Sequence, residues 1–165
     1  MATIDQFKAQ LIGGGPRANR FRVFVPRSGQ NIELLATATS MPASTVAEIT
    51  IPFRGMNLKL AGDRTFDAWT VSIINDIEFS SRTALEGWQQ DIAGYGDSAA
   101  ATNNDYLVSR AFVEQLGKDD SVLARYEFFN MFPTSVGSIE LSTEQADGLE
   151  TFEVSFSYSH WERVI

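Results

Sequence analysis

Alternating apolar and polar residues dominate the chain and predict β-strands. The cleanest example runs from Leu149 to Trp161, where the apolar positions are Phe152, Val154, Phe156, Tyr158 and His160. Successive side chains of a strand point to opposite faces, so this pattern predicts one buried face and one solvated face. The same reasoning predicts further strands at Arg20–Val25, Ile32–Ser40, Asp67–Asn75, Tyr106–Leu116, Val122–Met131 and Gly137–Leu141.

A short helix with a glycine-rich end is predicted at the N-terminus. Thr3 and Gln6 have the spacing of a capping box. The apolar positions that share one helical face are Ile4, Phe7 and Leu11. Three glycines and a proline at 13–16 cannot sustain a helix, so residues 1–19 are predicted to form a flexible N-terminal arm.

A longer helix is predicted at 80–94. Thr83 and Glu86 have capping-box spacing and mark its start. The apolar stripe that follows consists of Ala84, Leu85, Trp88 and Ile92. Small and polar residues at 97–105 then predict a loop.

A projecting hairpin is predicted at 44–61. Its two apolar-rich arms, Val46–Arg54 and Met56–Leu60, are separated by Gly55. Pro52 has no backbone N–H to donate to a neighbouring strand, so this hairpin is expected at an edge or as a projection.

Together these elements predict a mainly β fold. It consists of two packed antiparallel sheets, in a sandwich or barrel, with one flanking α-helix and a short N-terminal helix. The 165 residues fit a single domain that spans 1–165.

Charge is unevenly distributed along the chain. Residues 1–82 hold 9 basic and 7 acidic side chains, a net of +2, whereas residues 83–165 hold 4 and 14, a net of −10. The total of −8 repels phosphate and argues against a protein that binds the nucleic-acid backbone. No apolar run approaches the roughly 18 residues needed for a membrane span, and the N-terminus lacks the pattern of a signal peptide.

Residues that carry catalytic chemistry are scarce. The chain has no cysteine, which excludes disulfides, thiolate catalysis and cysteine-bound metals. His160 is the one histidine, and its place on an apolar strand face favours a packed or rim residue over a metal ligand. Phosphate-binding loops, nucleophile elbows and dinucleotide fingerprints are absent. We therefore expect no enzymatic activity, no metal and no cofactor.

Four segments, in order along the chain, resemble the tail tube proteins of contractile-tailed bacteriophages. The central one is AGDRTFDAWTVSIIND at 61–76. The other three are ATSMPA at 38–43, FPTSVG at 132–137, and TFEV at 151–154 continuing to Trp161 and Glu162. The resemblance covers residues 20–162 and departs from the family at the termini, in the 97–105 loop and in the Val46–Arg54 arm.

The resemblance implies a structural protein of the virion tail, assembled in the host cytoplasm. Members of this myovirus-type family form hexameric rings that stack into the inner tail tube, the conduit for genome ejection inside a contractile sheath. The implied partners are other copies of the chain and the sheath, baseplate or initiator, and tape-measure proteins. DNA would pass through the lumen without specific binding, and acids from the −10 half are candidates for lining it.

The hairpin and the residues after it are the predicted contact between subunits. The predicted contact residues are Ile49, Phe53, Arg54, Met56, Gly62, Asp63, Arg64 and Asp67. A local alternative is a turn network, in which Asp63 accepts backbone N–H bonds and Arg64 pairs with Asp67 or Asp63. A surface hairpin without a partner is a further alternative.

Two other functions remain open at this level. The first is the inner tube of a related contractile injection system, of the bacteriocin or secretion type, which would differ mainly in its cargo. The second is a monomeric β-sandwich that binds a carbohydrate or peptide and does not self-assemble.

Overall fold

The computed structural model describes residues 1, 3–28, 32–94, 104–145 and 148–165. Within these ranges the strands are β1 Phe21–Phe24, β2 Ala36–Thr39, β3 Ser44–Phe53, β4 Met56–Phe66, β5 Trp69–Ile74, β6 Ala111–Leu116, β7 Val122–Phe129, β8 Phe132–Val136, β9 Thr151–Ser157 and β10 His160–Arg163. The helices are α1 Ile4–Gln10, α2 Ile32–Leu35 and α3 Ser80–Ile92, with a 3-10 turn at Ile12–Gly14. Part of the predicted 97–105 loop lies outside the described residues.

Two four-stranded antiparallel sheets face each other across the core. Sheet A has the order β1-β6-β7-β10, and sheet B has the order β2-β5-β9-β8. Trp69 of sheet B stacks on Phe128 of sheet A with ring centroids 4.5 Å apart. The predicted sandwich is therefore confirmed, and the structure adds a separate two-stranded sheet, β3-β4.

The central strands of sheet B follow the alternation in the sequence. Trp69, Val71 and Ile73 of β5 are buried, and they pair in register with Phe156, Val154 and Phe152 of β9, which are buried as well. The intervening Thr and Ser residues point outward, and the Thr70 hydroxyl lies 3.3 Å from that of Ser155. One face of sheet B is thus core and the other is lined by hydroxyl groups.

Helix α3 begins three residues before the predicted capping box. The carboxylate of Asp76 accepts hydrogen bonds from the backbone N–H and the hydroxyl of Ser80, at 2.9 and 2.5 Å. Thr83 is already inside the helix, since its N–H donates to the carbonyl of Phe79. The predicted helix at 80–94 thus begins where expected, but the predicted capping box is wrong, because Asp76 caps the helix from outside. Leu85 and Trp88 are buried as the stripe predicts.

Three predicted strands differ from the structure: the one at 32–40 is correct only in its second half, which forms β2, the one at 137–141 is wrong, and the one at 149–161 is divided. Residues 32–35 form α2, because Ile32 and Leu35 recur at helical spacing and pack inward while Leu34 is 84% exposed. Residues 137–141 are not a strand, because β8 ends at Val136. The long strand predicted at 149–161 ends at Ser157, and after a bend β10 joins the opposite sheet.

Candidate subunit interface on the β3–β4 hairpin

The β3–β4 hairpin stands apart from the sandwich. Its strands pair only with each other, and every residue from 45 to 61 is exposed. Arg54 and Gly55 form a two-residue turn with φ values of 48° and 81°, the positive pair that a type I′ turn requires. The ladder continues to Phe66, so the hairpin is longer than the predicted 44–61.

One face of the hairpin is entirely apolar over three cross-strand pairs. The pairs are Ile49 with Leu60, Ile51 with Leu58, and Phe53 with Met56. Their exposure ranges from 43% for Ile51 to 77% for Met56. We call these six side chains the apolar hairpin face. An exposed apolar cluster of this kind is typical of an interaction surface.

The opposite face of the hairpin is polar. Glu48 and Lys59 form an ion pair at 3.3 Å, and Pro52 pairs with Asn57. Successive strand residues alternate between faces, so the polar and apolar side chains lie on opposite sides of the hairpin. A partner can cover the apolar side without burying unpaired polar groups, which would cost free energy. The apolar hairpin face is that side.

Gly62 supports the path of the strands at a bulge. The register shifts between Val46 and Glu48, which crowds the backbone opposite Gly62. A Cβ atom at Gly62 would lie 3.2 Å from both the carbonyl oxygen of Ala47 and the Cγ1 atom of Ile49. A side chain at this position would therefore push these neighbours away by a few tenths of an ångström, and glycine allows the closer approach.

Arg64 fastens the base of the hairpin to the sandwich. Its guanidinium carbon lies 5.4 Å from the ring centre of Phe66 and 5.3 Å from that of Trp161, which belongs to β10. Arg64 also donates to the Ser44 hydroxyl at 2.9 Å, and the Trp161 indole donates to the carbonyl of Ala43 at 3.3 Å. We call Arg64, Phe66 and Trp161 the base clamp.

The predicted local network around Asp63 is wrong. Adjacent strand residues point to opposite faces, so Asp63 and Arg64 are turned apart, and Arg64 contacts Ser44 and the aromatic rings. Among the described residues, the carboxylate of Asp63 has no hydrogen-bond or ion-pair partner. Asp67 lies beyond the strand near Tyr158, and burial together with the negative charge of Asp67 raises the pKa of that tyrosine.

The eight predicted contact residues therefore occupy different parts of the hairpin. Ile49, Phe53 and Met56 lie on the apolar hairpin face, and Arg54 lies at the turn, with its guanidinium 5.2 Å from the Phe53 ring. Gly62 is structural, and the remaining three are at or near the base. Ile51, Leu58 and Leu60 lie on the same face but are not among the predicted contact residues, although a two-residue turn at 54–55 would have paired them in register.

Other kinds of site are not found in the described part of the chain. No group of three or more histidine, aspartate or glutamate side chains there could hold a metal ion. Separately, none of the described helices has the length and apolarity to cross a membrane. His160 lies at the rim, where its ring stacks on Phe129 at 4.7 Å.

Comparisons with known proteins agree with the fold and identify the family. The family model "Phage tail tube protein" matches residues 16–164. The tail tube protein gp19 of Enterobacteria phage T4 is 33% identical over 159 residues, which cover 96% of this chain and 98% of that protein.

Solved structures share the fold at lower identity. A chain in the cryo-EM structure of the anti-feeding prophage baseplate aligns with a TM-score of 0.66 at 12% identity, covering 90% of this chain and 94% of that chain. A chain in the sheath–tube complex of the extracellular contractile injection system PVC aligns with a TM-score of 0.58 at 15% identity, covering 99% and 98%. The family match and the T4 relative show that the chain belongs to the phage tail tube protein family and is part of the virion tail.

Proposed function

We propose that this chain forms hexameric rings that stack into the inner tail tube, the conduit for genome ejection inside a contractile sheath. The observation that carries the proposal is the apolar hairpin face, which is exposed in the single chain and contributes little to its stability. Burying such side chains in a neighbouring copy is worth roughly 1.5–3 kcal/mol for each that becomes fully covered. Association between copies therefore supplies the free energy that the hairpin does not gain within its own sandwich.

The edges of sheet B support closure into a ring. Its outer strands, β2 and β8, border surface grooves of about 570 and 930 Å3, and α3 forms the other wall of the groove beside β8. Every neighbouring pair in sheet B is antiparallel, so β2 and β8 run in opposite directions. Rotation about an axis along the strands preserves direction, so β8 of one copy would meet β2 of the next as an antiparallel pair.

Such a ring would have no free edge in its inner wall. Six copies of a four-stranded sheet supply 24 strands, and a closed barrel removes the exposed backbone groups that make edge strands prone to aggregation. The strands of sheet B contain no lysine or arginine and a single acid, Glu153. A wall of hydroxyl groups and carboxylates offers passing DNA no cationic contact to hold its phosphates.

Stacking of rings is expected to be cooperative. If the stacking contact of each subunit nets only about 1–2 kcal/mol, six contacts made together sum to roughly 6–12 kcal/mol, because the later ones are intramolecular. A preformed ring or an initiator would then start the tube. Because the chain belongs to the tail tube family, we propose the sheath, the baseplate and the tape-measure protein as its partners. On the same basis we propose a purely structural role without catalysis.

The test is assembly of the full-length protein over a concentration series, followed by light scattering and negative-stain electron microscopy. The proposal expects hollow rings and tubes of uniform diameter above a threshold concentration. Rings without tubes would indicate that stacking needs an initiator, whereas a protein that stays monomeric throughout the series favours the monomeric binding module.

A matched pair of variants tests the role of the hairpin. Leu58→Glu places a charge on the apolar hairpin face, and Asn57→Glu places the same charge one residue away on the polar face. Both side chains are exposed in the single chain, so both variants should fold. Only Leu58→Glu should abolish tubes; equal assembly by the two variants would exclude the apolar hairpin face as the contact.

A further inference from the structure

Helix α1 is a second apolar surface without cover. It has a complete capping box, in which Gln6 N–H donates to the Thr3 hydroxyl and Thr3 N–H donates to the Gln6 side chain. None of its residues is buried, and Ile4, Phe7 and Leu11 on one face are 70%, 64% and 43% exposed. An isolated helix of seven residues is marginal in water, so this helix needs a packing partner to gain stability.

The apolar hairpin face matches α1 in size and chemistry. Seven helical residues span about 10 Å, and the paired apolar positions from Ile49 to Phe53 span about 13 Å. A helix stripe laid on one face of a two-stranded sheet is a standard way for both to bury their apolar side chains. The chain thus carries two complementary apolar surfaces that its own sandwich leaves exposed.

The connector after α1 and the base of the hairpin are held at opposite edge strands of sheet A, while the hairpin itself continues from β2 and β5 of sheet B. The connector after α1 is held beside β1, where the Gln115 side chain donates to the carbonyl of Arg17 at 2.7 Å. The hairpin base is held beside β10 by Trp161. These edge strands are three strand spacings apart, about 14 Å. Copies repeated side by side in one direction bring the β1 edge of one copy toward the β10 edge of the next.

The connector is built to redirect the helix. Gly13, Gly14 and Gly15 all have positive φ, of 70°, 82° and 76°, a conformation that residues with side chains rarely adopt. We infer that α1 packs its Ile4, Phe7 and Leu11 stripe on the apolar hairpin face of an adjacent copy. This contact rests on the proposed function, because it forms only between assembled copies, and it names the element that covers the hairpin.

Cross-linking tests the contact directly, since the chain has no native cysteine. Tubes are assembled from an equal mixture of a Phe7→Cys protein and a Leu58→Cys protein, and then oxidised. A disulfide requires Cβ atoms about 3.5–4.5 Å apart, so covalent dimers of the two proteins should form. The matched control replaces Phe7→Cys with Ala9→Cys, which lies on the opposite side of α1.

We expect at least about tenfold more mixed dimer from Phe7→Cys than from Ala9→Cys. Equal yields in tubes that do form would overturn the inference while leaving the tube function intact. A chain carrying both Phe7→Cys and Leu58→Cys, oxidised as a dilute monomer, checks for docking within one copy. An efficient internal disulfide there would also overturn it.

A substitution series covers the case in which a cysteine prevents assembly. Phe7→Ser should raise the threshold concentration for tubes several-fold, whereas Ala9→Ser should leave it unchanged. Equal thresholds for the two variants would overturn the inference. Failure of the unmodified protein to form rings or tubes at all would instead contradict the proposed function.

Discussion

The sandwich and the β3–β4 hairpin are built from the same strand pattern but have opposite exposure. Val71 of β5 is fully buried because sheet A covers it, whereas Ile51 of β3 is 43% exposed because no other described element packs on it. Burial of apolar side chains within the sandwich therefore stabilises the fold, whereas the apolar side chains of the hairpin can be buried further only by a partner. A two-stranded hairpin is marginal alone, so its shape depends on the base clamp.

Removing one aromatic ring from each region should give the largest difference in the free energy of unfolding. Trp69→Ala should lower the free energy of unfolding by about 3–5 kcal/mol, because it leaves a cavity between Phe128 and Phe156. Phe53→Ala at the hairpin tip should change it by less than about 0.5 kcal/mol. Chemical denaturation followed by circular dichroism measures both. A comparable loss in Phe53→Ala would mean that the hairpin packs on its own sandwich.

The next largest loss of stability is expected on removing a charge that is buried within sheet A. Glu114 is fully buried, Arg22 reaches its carboxylate at 2.5 Å, and Arg125 pairs with the other oxygen. Glu114→Gln should cost about 1–3 kcal/mol, because two guanidinium groups then face a neutral amide. Glu162→Gln, at an exposed position of the same sheet, should cost less than about 0.5 kcal/mol. Similar losses in both variants would contradict this account of Glu114.

A smaller effect is expected where the two regions join. Arg64→Met keeps the aliphatic stem but removes the guanidinium from the base clamp, which should cost at most about 1 kcal/mol. Amide hydrogen exchange should nevertheless become faster at the Ser44 and Phe66 end of the hairpin. Lys59→Met, which loses only an exposed ion pair, is the control. Unchanged exchange in Arg64→Met would show that Arg64 does not hold the hairpin.

The local pattern of apolar and polar residues was sufficient to predict much of this architecture. The alternation in β5 and β9 and the stripe of α3 are set by neighbouring residues, so the sequence predicts them directly. The helical turn α2 was missed because four residues fit either period, and tertiary packing of Ile32 decides between them. The bend after Ser157 was missed because alternation continues through it, and only the opposite sheet shows where the strand must end.

The exposed apolar surface that is proposed as the interface was predictable in part for the same reason. Ile49, Phe53 and Met56 could be identified from a hairpin pattern, and the remaining apolar pairs follow from the register of the turn. The contact of Trp161 with the hairpin base could not be predicted, because Trp161 lies at the far end of the chain and no local pattern connects it with Arg64. Long-range contacts that set the angle of a projecting element leave no periodic trace in the sequence.

The smallest expected effect is a change in the pKa of Tyr158, which lies at the same junction. Burial is the larger cause of the raised pKa of Tyr158 and the charge of Asp67 the smaller, so Asp67→Asn should lower that pKa towards 10 without reaching it. A raised folded-state pKa contributes stability that is present below pH 10 and lost as the pH rises through the folded value. Asp67→Asn should therefore lose less stability on going to alkaline pH than the unmodified protein does. Absorbance titration of ionised tyrosine, with Tyr158→Phe to assign the signal, measures the shift. An unchanged Tyr158 titration would show that the charge of Asp67 does not act on Tyr158.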